Sequence, residues 1–141
     1  MLEEEELRRI TDFFAEILAV LLAEKEMVGY VDKVSKAPSR ELLLFHLNEA
    51  CRDFFSLKRG REFKPKTKEL IKRMEEKMKN KNYIELIENY LNSLYQHLIK
   101  GDRKKLREVS SLIGAKAILL ASVLREEGHA EGGEDYGGEE R

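Results

Sequence analysis

The chain has 141 residues, 42% of them apolar and 38% charged, with a formal net charge of −1. That is enough for one domain with a real core and too little for two. The lone Cys51 excludes an intramolecular disulfide and a cysteine-based zinc site, and the acidic start Glu3-Glu4-Glu5-Glu6 is the reverse of a basic signal-peptide opening.

The first predicted helix covers residues 2–27, with Leu7, Ile10, Phe14, Ile17 and Leu21 along its inner stripe. Its acidic opening suits the positive end of the helix dipole. Its longest apolar run, 17–23, is about a third of the ~20 residues that a membrane span requires, so a soluble cytoplasmic protein with no membrane contact is expected. Gly29 interrupts or ends this helix, and the stretch to Ala37 has room for another turn. Pro38-Ser39 opens the second helix, because Pro is tolerated in a first turn and Ser caps. Its stripe is Leu43, Leu47, Ala50, Phe54 and Leu57. Cys51 sits among these residues as a small hydrophobe.

Lys64-Pro65 starts a third helix with a thin stripe of Thr67, Leu70, Ile71, Met74 and Met78. Asn82 and Glu85 have capping-box spacing for a fourth, which carries Tyr83, Ile87, Tyr90, Leu94 and Leu98 and stops at Gly101. Asp102 caps a fifth that reaches about residue 127. Residues 128–141 hold five Gly and five acids against one Arg, a composition expected to stay disordered. The expected architecture is all-α: an antiparallel up-and-down bundle of five helices over 1–127, followed by a disordered acidic tail over 128–141. Glutamine occurs once, while Lys, Arg and Glu abound, a bias common in thermophile proteins.

Charge is segregated along the chain. Residues 1–57 carry a net −5, residues 58–107 a net +9, and residues 126–141 a net −6. In a five-helix up-and-down bundle the second-to-third and fourth-to-fifth connections fall at the same end. Lys58, Arg59, Arg61, Lys64 and Lys66 would then neighbour Arg103, Lys104, Lys105 and Arg107 and form one basic end suited to phosphates. Arg103, Lys104 and Lys105 occupy a helix first turn, where the dipole disfavours cations, and three such breaches in a row point to an outside reason. The alternative is a solvated ionic face, supported by i, i+4 pairs such as Glu69–Arg73. The acidic tail could itself lie across the basic end and compete for it.

Arg40 and His46 have a spacing that resembles the Arg-x(4–6)-His signature of the HEPN ribonuclease superfamily. The resemblance implies that these two residues manage the proton and phosphate charge of RNA cleavage. The alternative is a histidine at a core boundary, since the two residues flank the apolar stripe about 120° apart. His46, Glu49 and Asp53 share one helix edge but lack further ligands, so no metal is expected, and no motif implies a cofactor.

The fifth helix is apolar on nearly every side over 112–124, as expected of a central helix. Ser110, Gly114, Ala117 and Ala121 form a strip of small residues for a close crossing, either inside the bundle or across a homodimer. Lys116, the one charge there, is expected to reach water.

One broader pattern combines a long acidic helix, Tyr30, Ala37-Pro38, an apolar helix ending Phe54-Phe55-Ser56-Leu57-Lys58, and an Ala-rich helix ending Leu124-Arg125. It resembles the small all-helical subunit of type III CRISPR effector complexes, departing from it at Asn48-Glu49 and in having no Trp. The resemblance implies a non-catalytic subunit along an RNA-containing filament, with the 58–66 and 103–107 cations facing RNA. Three functions follow as expectations. The first is a non-catalytic module that binds nucleic acid, RNA above DNA, or docks in a nucleoprotein assembly. The second is a protein-interaction or homodimerisation module, and the third a ribonuclease using Arg40 and His46.

Overall fold

The computed structural model describes residues 2–60, 62–79 and 82–133, with side chains placed through Arg125. The described residues form six α-helices and no strand: α1 (Glu4–Lys25), α2 (Val28–Ser35), α3 (Arg40–Gly60), α4 (Pro65–Met78), α5 (Tyr83–Ile99) and α6 (Arg103–Gly133). The expected tail, 128–141, falls partly within α6, and residues 134–141 lie outside the described residues.

The helix beyond the expected five is α2. It forms because Val31 and Val34 bury their side chains, and because the Tyr30 hydroxyl donates to the Asp53 carboxylate on α3. Gly29, inside α2, weakens the helical pattern in sequence without breaking the helix. The chain turns from α1 into α2 at Glu26, whose φ of 55° is left-handed. There the Glu26 amide donates to the Leu22 carbonyl at 2.9 Å and the Met27 amide to Leu21 at 3.3 Å. A non-glycine residue pays for that conformation, so Glu26→Gly is expected to stabilise the fold by about 1 kcal/mol. In thermal unfolding this corresponds to a rise of about 3–5 °C.

The predicted caps are in place. Ser39 Oγ accepts from the Leu42 amide at 3.2 Å, Asn82 Oδ1 from Glu85 at 2.8 Å, and Asp102 Oδ1 from Lys105 at 3.0 Å. The thin stripe of α4 is buried at Thr67, Leu70, Ile71, Met74 and Met78.

The centre of the molecule is α1. Phe13, Phe14 and Ala15, then every residue over 17–23, are buried, because α6, α3, α2, α4 and α5 all pack against this helix. The expectation that the last helix is central is therefore corrected: α6 lies on the periphery. Both helices are apolar on most sides, so spacing alone does not rank them.

Helix directions differ from a simple alternation. Leu2 meets His97 and Phe13 meets Tyr90, so α1 and α5 are antiparallel. The Arg40 guanidinium lies over Tyr95 and the Lys58 ammonium over Tyr83, so α3 and α5 are antiparallel too. At the start of α4, Thr67 Oγ1 donates to the Glu24 carboxylate at 2.7 Å, while Lys77 and Arg73, further along α4, act on Glu16. Hence α4 is also antiparallel to α1. Two successive helices, α4 and α5, thus run in the same sense, which shifts the parity of the connections.

Candidate interaction surface

That shift separates the two cationic clusters. Lys58 stands beside Tyr83, the first residue of α5, whereas 100–107 begins just past its last, Ile99. The length of α5 between them is about 25 Å, from 17 residues. The expectation of one basic end built from 58–66 and 100–107 is therefore corrected: the clusters lie at opposite poles. At the first pole Lys58 pairs with Glu75 at 2.9 Å, and the Lys64 amide donates to Glu24 at 3.4 Å. Lys66 is half-buried, Arg59 is exposed, and Arg61 lies outside the described residues. At the second pole Arg103, Lys104 and Arg107 are exposed and Lys105 is half-buried.

Arg40 and His46 are not drawn together. Arg40 reaches across to Tyr95 on α5, 5.8 Å from the ring centre. His46 Nδ1 lies 3.4 Å from the Glu49 carboxylate in its own helix and edges onto Phe45. Asp53 is held by Tyr30. Cys51 is buried, which pushes its thiol up to about 12 and leaves it chemically quiet at neutral pH.

A buried histidine went unread in the sequence. His97 Nδ1 accepts from the Leu2 amide at 3.3 Å, and its Nε2 is buried with no partner. Burial lowers its pKa from 6.5, helped by Lys105 and the terminal amine. The native chain therefore binds fewer protons than the unfolded chain in mildly acidic solution. The stability that this implies is complete above the unfolded pKa and is lost as pH falls through the lower folded value. Urea melts from pH 7.5 to 5 are expected to show this decline. His97→Gln, whose amide oxygen is suited to accept the same Leu2 bond, should flatten it.

The small-residue strip of α6 is used inside the chain. Ser110, Ala117 and Ala121 are about 1% exposed or less, and a Cβ added at Gly114 would sit 1.9 Å from Ser35 Oγ of α2. Of the two expected crossings, inside the bundle and across a homodimer, the structure has the first. Lys116 is half-exposed and pairs with Asp12 of α1, a partner the sequence did not reveal.

The outer face of α6 is the unexpected feature. Leu112 is 49% exposed, Ile118 53%, Leu119 69% and Val123 45%. Ser111, Ala115 and Ser122 are exposed between them, and Lys116, paired with Asp12, borders the stripe beside Leu112, Leu119 and Val123. The spacing 112, 115, 119, 122 alternates three and four residues, as a helix-pairing seam does. Elsewhere among the described residues, large exposed hydrophobics are single, apart from Leu42 and Phe45 on α3. Scattered apolar residues are ordinary on a surface, but a contiguous apolar stripe marks a contact. The signal in sequence was the same all-round apolar character that had suggested a central position.

No family model matches the chain, and no solved structure matches it. The chain is 37% identical over 114 residues to a protein of Archaeoglobus fulgidus described as "Uncharacterized protein". The match covers 80% of this chain and 89% of the archaeal one. Such identity over nearly the whole of both sequences means that this chain belongs to the same family as the Archaeoglobus fulgidus protein.

Proposed function

We propose that the protein is a non-enzymatic helical module that self-associates through the outer face of α6. The observation that carries this reading is the exposed apolar stripe of Leu112, Ala115, Ile118, Leu119 and Val123. A face of that shape takes an apolar helix, and the chain supplies a matching one in its own second copy. Symmetric pairing is the commonest form of association, and a self-complementary patch suits it.

The nucleic-acid reading loses its main support, since its two clusters stand at opposite poles. The ribonuclease reading rests on the spacing of Arg40 and His46 alone. Sedimentation equilibrium over a hundredfold range of concentration tests the proposal. A dimer that persists from 50 mM to 1 M NaCl is expected, because apolar burial is not screened by salt. A monomer at every concentration would overturn the reading.

A further inference from the structure

Helix α2 crosses α6 where Ser35 meets Gly114, and there α2 ends. Beyond the crossing α6 extends to its own first residue, Arg103, while the chain from α2 turns through 36–38 into α3. Between that turn and α6 lies an open cavity of about 280 Å³, walled by Ala37, Pro38 and Leu106 and lined by Lys36, Arg103 and Arg107. The geometry points to this cavity as a binding site for the dianionic phosphate of a phosphate monoester, held by Arg103, Arg107 and Lys36. Three observations carry this.

The first is the sign of the lining. Three of its side chains are cations, and among the described residues no acid lines it. Acids at this pole are engaged elsewhere or face away. Asp102 caps α6, Glu41 contacts Arg40, and the acidic opening of α1 lies toward α5, where Leu2 meets His97. Lys105 acts on that histidine, from the side of α6 opposite to Arg103 and Arg107.

The second is availability. Arg103 and Arg107 stand one turn apart on the same side of α6, and both are exposed. Neither guanidinium has an ion-pair or hydrogen-bond partner among the described residues. Like charges at i, i+4 repel, and Arg103 sits in a first turn, where the dipole disfavours cations. A bound anion relieves both. Lys36 is tied to Asp32 at 2.9 Å, with both side chains largely exposed, a contact weak enough for the ammonium to turn into the cavity.

The third is shape. The cavity has room for about nine waters at about 30 Å³ each, more than inorganic phosphate fills. Two forked guanidiniums and one ammonium match the three free oxygens of a phosphate monoester. A carboxylate, with two oxygens and one charge, would leave cations uncompensated. Ala37, Pro38 and Leu106 present apolar surface to the group esterified to the phosphate.

Calorimetric titration of the full-length protein at 50 mM NaCl tests the site, with adenosine 5′-monophosphate as the probe and adenosine as the uncharged control. The monophosphate is expected to bind at least about tenfold more tightly than adenosine, and more weakly when salt is raised to 500 mM. The double change Arg103→Ala, Arg107→Ala is expected to lower its affinity at least about tenfold. Lys100→Ala with Lys104→Ala removes the same charge from the same pole without touching the lining, and should change the affinity less than about twofold. All four positions are exposed, so both double variants keep the fold. Equal losses in the two variants, equal binding of the monophosphate and adenosine, or no binding of the monophosphate up to about 10 mM would each overturn the inference. Two RNA hexamers, with and without a 5′-phosphate, separate the sources of the phosphate. Binding of the phosphorylated hexamer alone assigns the site to a chain end, and binding of neither assigns it to a free monoester. Equal binding of both hexamers would overturn the inference, because the internal diesters would then be the ligand.

Discussion

Leu119→Glu is expected to leave the helical content unchanged and to reduce self-association by more than a thousandfold. The side chain is 69% exposed in the single chain, so the substitution disturbs little of the fold, within about 0.5 kcal/mol. At the proposed interface its effect is large. Covering the exposed part of a leucine contributes roughly 1–2 kcal/mol, and the twofold axis repeats the loss. Each glutamate also brings a carboxylate into an apolar seam, at a cost of several kcal/mol per ion if it stays charged. With tenfold in affinity for each 1.4 kcal/mol, the total exceeds three decades. Leu119→Ala keeps the seam uncharged and should cost only about one to two decades. Ile84 of α5 is 66% exposed but lies outside the stripe, so Ile84→Glu is the matched control and should associate as the wild type does. A Leu119→Glu protein that still sediments as a dimer would remove α6 from the interface.

Gly114→Ala is the second large effect, and it is one of stability. In an exposed helix this change gains about 1 kcal/mol from propensity alone. Here the new methyl would meet Ser35 Oγ at 1.9 Å and Ser35 Cβ at 3.1 Å. The serine hydroxyl donates to the Val31 carbonyl at 2.7 Å, so swinging it away breaks a bond within α2, and keeping it forces α2 from α6. Overpacking of this kind costs about 1–3 kcal/mol, and a net loss of stability is the expected outcome in urea melts. Ser35→Ala removes the atom that clashes first. The double variant should therefore recover part of the loss, a non-additivity that a double-mutant cycle reads directly. A Gly114→Ala protein more stable than wild type would mean that α2 and α6 do not cross tightly there. Because Gly114 is on the inward side of α6, its substitution should leave the association constant of the folded protein unchanged. The two substitutions thus report on opposite faces of one helix.

Much of the fold was legible in the chain. Asn82, Asp102 and Ser39 cap helices because a short side-chain oxygen reaches a free amide three residues on. The five inward positions of α4 follow from their spacing. The small strip of α6 announced a close crossing, and Gly114 meets Ser35 there. Less was legible where a signal was ambiguous. Gly29 made α2 look like a break, and the left-handed turn at Glu26 has no glycine to mark it. The basic first turn of α6 was read together with 58–66 because alternation of helix directions was assumed, and α4 followed by α5 breaks that alternation.

Local chemistry by itself determined which segments coil, where they begin and which charges crowd together, since caps, periodicity and dipoles act over a few residues. Only the tertiary structure decided which of two nearly all-apolar helices lies inside. Hydrophobic spacing measures how much surface seeks cover, while the identity of the cover depends on distant partners. Five neighbours close around α1 and fewer around α6, and that difference leaves Leu119 in water.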